Sequence, residues 1–194
     1  AETNIGEIDR LYRDAIDALI QIQKASRPGE LPDYDRALLD RELQLFPEWY
    51  VNTQLRQTLT GAQTTQLNQI FERVIHNNLS QPRVYVHRDY HSRNLMVCEP
   101  NPGILDFQDA VYGPITYDLV SLLRDAYIEW PEERVIDWCV RYWEAARRAN
   151  LPIHTDFAAF YRSGLDADGI FQPARADRLR LGTGIVDDGD FSLS

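Results

Sequence analysis

The chain has 194 residues of which 44% are hydrophobic, enough for one compact core and short of what two ordinary domains need. Its 30 Asp and Glu against 20 Lys and Arg give a formal charge of -10. That charge argues against nucleic acid or an anionic membrane as partner, since both require a basic face. Cys98 and Cys139, with His76, His87, His91 and His154, stand in no metal-ligand spacing, so no zinc site is expected. With no stretch of membrane-span length and no signal peptide, the expected location is the reducing cytoplasm. The chain opens at Ala1 in polar sequence running directly into a helix, the pattern of a cut or processed piece.

Ile8, Leu11, Tyr12, Ala15, Ile16, Leu19 and Ile20 fall on one helical face, with Asn4 as cap before them and Pro28-Gly29 as stop after them. A second helix follows Asp35, striped by Leu38, Leu39, Leu43 and Phe46 and ended by Pro47. A third carries Leu67, Ile70, Phe71, Val74, Ile75 and Leu79 and stops before Pro82. The period then changes. Val84–Val86, Leu95–Val97 and Gly103–Leu105 are short β-rich runs, the last two joined by a turn at Pro100-Asn101-Pro102-Gly103, and together they predict a small sheet on a helical body. Helices resume after Pro114, one through Leu119, Leu122 and Leu123. Another spans Pro131 to Arg148, with Glu132 and Glu133 in its first turn and Arg147 and Arg148 in its last, as the helix dipole favours. Its buried face is Val135, Trp138, Tyr142 and Ala146. Residues 163–194 hold half of the ten glycines and no sustained apolar period, and read as a loop or poorly ordered tail.

The chemistry lies in two segments. His87-Arg88-Asp89-Tyr90-His91-Ser92-Arg93-Asn94 is H-x-D-x-x-x-x-N leaving a strand, and Asp106 ends another strand 12 residues after Asn94. Phosphoryl transfer needs a carboxylate to orient and accept the proton of the attacking hydroxyl, and hard oxygen ligands to hold magnesium on the phosphates. Asp89 supplies the first; Asn94 and Asp106 supply the second.

These segments resemble the catalytic loop and metal-binding segment of the aminoglycoside phosphotransferase/choline kinase family, which shares its fold with the protein kinases. The family's loop reads H-G-D-x-H-x-x-N, and His91 occupies its second histidine. Asp106-Phe107-Gln108 stands where protein kinases have D-F-G. Asp109-Ala110, Gly113-Pro114 and Tyr117-Asp118-Leu119 match the segment that follows, in which the later Asp braces the catalytic loop; Asp118 could equally be a helix N-terminal carboxylate. His87, His91 and Asp118 are thus supporting residues. Leu31–Asp35, Arg41–Trp49 and His87–Met96 resemble more narrowly the bacterial cell-wall kinases that phosphorylate the anomeric hydroxyl of N-acetylmuramate and N-acetylglucosamine, over roughly residues 4–161. Phe46-Pro47-Glu48-Trp49 reads as an aromatic helix end packed on the core rather than a sugar contact. Arg88 and Arg93 flank the base and could face phosphate; Arg88 could equally be an internal ion-pair partner.

The resemblance implies an α+β, mostly helical fold: the C-terminal lobe of the protein-kinase-like architecture in residues 1–162, with ATP and Mg2+ as cofactors. The family's N-terminal lobe, with its lysine and phosphate-covering loop, has no counterpart; the sole lysine is Lys24, on a helix. A separate or missing N-terminal lobe is therefore an expected partner, and the lobe alone is expected to be nearly inactive. Two alternatives stay open: an aminoglycoside or other small alcohol as acceptor, and a non-catalytic binding lobe.

Overall fold

The computed structural model describes residues 5–125 and 127–164. Asn4 and nearly all of the expected tail lie outside the described residues. Six α-helices are described: α1 (Ile5–Lys24), α2 (Arg36–Leu45), α3 (Gly61–Ser80), α4 (Tyr117–Leu123), α5 (Glu132–Arg148) and α6 (Phe157–Gly164). Four short strands accompany them: β1 (Arg83–Val86), β2 (Leu95–Met96), β3 (Gly103–Ile104) and β4 (Val111–Pro114).

The apolar stripes of α1 and α5 meet in one core. Ile16, Leu19 and Ile20 of α1 pack with Val135, Trp138, Cys139 and Tyr142 of α5, beside Leu119 and Leu122 of α4 and Phe160 of α6. Tyr12 stacks on Trp138 with ring centroids 4.0 Å apart, and the Trp138 indole N–H donates to Asp9 at 2.9 Å. A second core gathers Leu39 and Leu43 of α2, Phe71, Val74 and Ile75 of α3, Val84 and Val86 of β1, and Tyr34, Val111 and Tyr117. Asp35 caps α2 by accepting from the Leu38 N–H, and Thr60 with Gln63 forms a reciprocal capping box on α3.

Several expectations change. α2 does not end at Pro47; it widens into a π-helical segment, Phe46–Gln54, whose Leu55 N–H reaches back to the Tyr50 carbonyl at 2.9 Å. Pro47 sits in the first turn of that segment, directly after the end of α2, and the chain stays helical through it. Phe46 packs on the second core and stacks on Tyr50, but Trp49 is 41% exposed, so the aromatic run is only partly buried. Ile70 and Leu79 are exposed on α3, whose buried face is narrower than its stripe of apolar residues.

The strands do not form one sheet. β2 and β3 make a hairpin of their own, while β1 pairs antiparallel with β4, in register Arg83 with Pro114 through Val86 with Val111. Residues 32–34 extend this second ladder: Tyr34 N–H donates to the Tyr112 carbonyl at 2.9 Å, and Tyr112 N–H to the Pro32 carbonyl at 2.7 Å. Helix α6 runs to Gly164, two residues past the boundary expected at 162, and the Ser163 carbonyl accepts from the side-chain amides of Asn77 and Gln81.

Candidate active site

The loop between β1 and β2 crosses from one core to the other: Val86 is buried in the α2–α3 core and Tyr90 in the α1–α5 core. Between them, Asp89 has its main chain tied down. Its carbonyl accepts from the His91 N–H at 3.0 Å and from the Asn94 side-chain amide at 3.0 Å. On one side of it the Tyr90 hydroxyl donates to the Ala15 carbonyl of α1 at 2.7 Å. On the other, the buried carboxylate of Asp118 accepts from the N–H groups of His87 at 2.7 Å and Arg88 at 3.0 Å. Asp118 therefore braces the loop; at the start of α4 it also meets the helix's positive end. Arg88 holds a left-handed φ of 75°, a conformation costly for a residue with a Cβ that persists only when its surroundings fix it.

The second segment arrives through the hairpin. Leu95 opposes Ile104 in the ladder, and the Leu105 N–H donates to the Asn94 carbonyl at 2.9 Å, which sets Asp106 one residue from a direct bond to Asn94. Asp106 is exposed, has a left-handed φ of 69°, and accepts from the Gln108 amide at 2.6 Å through one carboxylate oxygen. Asp89, Asn94 and Asp106 are thus brought together. His87 is buried beneath this loop, and burial lowers its pKa while the charges of Asp89 and Asp106 and the Leu105 main chain pull the other way. His91 joins the loop through its main chain, its carbonyl taking the Asn94 N–H at 2.9 Å, and its ring tilts against Tyr127.

Among the described residues no three His, Cys, Asp or Glu cluster as a metal cage. The donor set here is one amide oxygen and one carboxylate, which suits Mg2+, an ion usually held by one or two protein oxygens with substrate phosphates completing its shell. An apolar cleft of about 300 Å³ begins at Leu95, the residue after Asn94, continues along Met96 and Val97, and is lined on its other side by Ile8, Leu11 and Tyr12 of α1 and by Trp130.

Two contributors, Glu42 and Asp125, had gone unmarked, and the two flanking arginines are now placed. Arg88 pairs with the buried Glu42 of α2, which settles its two expected roles in favour of the ion pair. Arg93 lies over the Tyr127 ring at 3.5 Å. Asp125, just past α4, accepts from both the Ser92 N–H at 2.9 Å and the Ser92 hydroxyl at 2.6 Å, so carboxylates brace the loop at both ends.

A family model described as "Phosphotransferase enzyme family" matches residues 2–160. The chain belongs to that family. Two curated relatives of this family member, both called N-acetylmuramate/N-acetylglucosamine kinase, come from Pseudomonas putida and Neisseria meningitidis serogroup B. They are 50% identical over 160 residues and 55% identical over 152, covering 82% and 78% of this chain. The chain spans about half their length, 47% and 46%. Among solved structures, a gentamicin complex of the aminoglycoside phosphotransferase APH(2'')-IIa superposes with a TM-score of 0.54 at 20% identity, covering 77% of this chain and 54% of that one. ADP-bound APH(2'')-Ib gives 0.52 at 19%, covering 76% and 54%. The fold of the chain is accordingly that of a lobe of the protein-kinase-like architecture, mostly helical with small β elements beside the candidate site. No helix among the described residues is long and apolar enough to cross a membrane.

Proposed function

We propose that this chain is the catalytic lobe of an ATP-dependent sugar kinase that phosphorylates the anomeric hydroxyl of N-acetylmuramate and N-acetylglucosamine in the cytoplasm. The observation carrying this reading is the tie between the two segments: Asn94 bonds the Asp89 carbonyl with its side chain and the Leu105 N–H with its own carbonyl. The same segments lie within the stretch that is 50% identical to the Pseudomonas putida kinase. Asp89 accepts the proton of the sugar hydroxyl as its oxygen attacks the γ-phosphorus, and the bond from that phosphorus to the bridging oxygen breaks to release ADP. Asn94 and Asp106 are the residues that would hold magnesium, which when bound draws the phosphates together and offsets their charge. The Asp118 and Asp125 braces hold the loop so that little reorganisation accompanies the transfer. The apolar cleft at Met96 would take the base of the nucleotide.

The deciding assay offers N-acetylmuramate, N-acetylglucosamine and kanamycin-like aminoglycosides side by side to the longest natural chain containing these residues, with ATP and magnesium. Transfer to the N-acetylated sugars at the anomeric position is expected. Preference for aminoglycosides would overturn the acceptor, and absence of any transfer would make the lobe a binding module.

A further inference from the structure

We infer that Glu42, held by Tyr34, is a positioning residue for both the base and the metal-ligand segment, acting through Arg88. This rests on the phosphotransferase reading of Asp89 and Asp106. Glu42 lies on the apolar face of α2 beside Leu39 and Leu43 and is 4% exposed. A carboxylate there is costly unless paired and hydrogen-bonded. Both of its oxygens are engaged: Oε1 by the Arg88 guanidinium and Oε2 by the Tyr34 hydroxyl. Burial, with Tyr117 and Glu42 adding to it, pushes the Tyr34 pKa well up, so its hydroxyl keeps the proton it donates. Burial opposes the charge on Arg88, but Glu42 together with Tyr117 and Tyr34 outweighs it, and the guanidinium's pKa is raised.

Arg88 is the residue before the base, and its left-handed main chain has to be held from outside. Asp118 holds its N–H; Glu42 holds its side chain. The same guanidinium extends Nη1 to the Asp109 carbonyl at 3.4 Å, three residues past Asp106. One ion pair therefore spans the two segments whose spacing the transfer depends on. Its foundation is rigid, because Tyr34 is bonded to the Tyr112 main chain and packed over Gly113, where a Cβ would come within 2.8 Å of the Tyr34 Cβ. The run Arg41–Trp49, noticed in the sequence for its resemblance alone, thereby gains a physical task.

The test is Glu42→Gln and Tyr34→Phe, read two ways. In the 194-residue chain, amide exchange at residues 87–94 is expected to quicken by about 10-fold while α5 stays unchanged, as a local opening would have it. In the longest natural chain, Glu42→Gln should lower kcat by about 10- to 100-fold with both KM values within about threefold, the pattern of lost alignment rather than lost binding. Glu42→Asp, which keeps the charge, should recover most of that loss. Equal quickening in α5, unchanged kcat, or a KM rise matching the fall in kcat would each overturn the proposal. If Glu42→Gln does not fold, Tyr34→Phe decides by the same two readouts. Should the wild type transfer no phosphoryl group, the proposed function fails, and the exchange measurement alone still decides whether Glu42 holds the loop.

Discussion

Asp118 accepts two consecutive main-chain N–H groups from a loop about thirty residues earlier, and it is fully buried while doing so. Asp118→Ala leaves both donors without an acceptor, at a cost of about 3 kcal/mol in urea-monitored stability. Asp89→Asn differs in kind. It removes a proton acceptor and little packing, so turnover in an active full-length enzyme should fall by orders of magnitude while the urea midpoint barely moves. A turnover close to wild type would end the case for Asp89 as base. The cysteines separate in the same manner. Burial pushes the Cys139 thiol up to about 12, and Cys98 sits half-exposed on the hairpin turn. A native thiol titration should count one reactive group and a denatured one two. The buried face of the helix around Cys139 was readable from Val135, Trp138, Tyr142 and Ala146; the partners of Asp118 were not, because a hydrogen bond to a distant main chain leaves no mark in residue type.

At the scale of elements, β4 depends on a side chain it lacks. Gly113→Ala would drive a methyl into Tyr34, and the expected loss is about 1–3 kcal/mol of thermal or urea stability, with β1 displaced. The clasp between α4, α5 and α6 is electrostatic: Arg124 grips Glu132 with two 2.6 Å bonds, and the Tyr161 hydroxyl adds a third. The Arg124 bonds, then that of Tyr161, lower the Glu132 pKa. Its stabilisation is therefore present above the ordinary glutamate range and lost as pH falls through the lowered value. Glu132→Gln should be less stable than wild type near neutral pH, and that gap should close in acid; a pH-independent gap would rule the clasp out as its source. Helices α1 and α5 were legible because their apolar residues recur at the helical period over five turns or so. Strand β4 was not, since Gly113 and Pro114 read as a breaker, and its partner β1 lies 25 residues or more upstream. Helix α6 was hidden for the opposite reason: at eight residues it is too short to show a period.

Over the described molecule, two cores meet under the loop that carries Asp89, and the motif there was legible because its spacing is local. Glu42 and Asp125 escaped notice for want of any local pattern, although a glutamate among the leucines of α2 was a readable oddity. Around the site an apolar rim stays in water: Val97 is 70% exposed, Phe107 69%, and Met96 and Leu105 about half. Since the chain spans half the length of its curated relatives, this rim should make the 194 residues associate as concentration rises, and bind magnesium–ATP only weakly. Sedimentation of the wild type against Val97→Thr/Phe107→Ser, and calorimetry with the nucleotide, check the two halves of that expectation. Micromolar binding would contradict the second.

The meeting of the cores also bears on descent. The Tyr90 hydroxyl is tied to the main chain of α1 and Ser92 to Asp125 just past α4, whereas α2 reaches the loop through the Glu42–Arg88 pair and packs with α3 on Val86 at the end of β1. Mutations can accumulate along Phe46–Gln54 and the outer face of α3 without unseating Asp89, provided Glu42 and Tyr34 endure. Lineages drawing on one ancestral lobe would then diversify on that flank first, and keep the opposite flank nearly fixed.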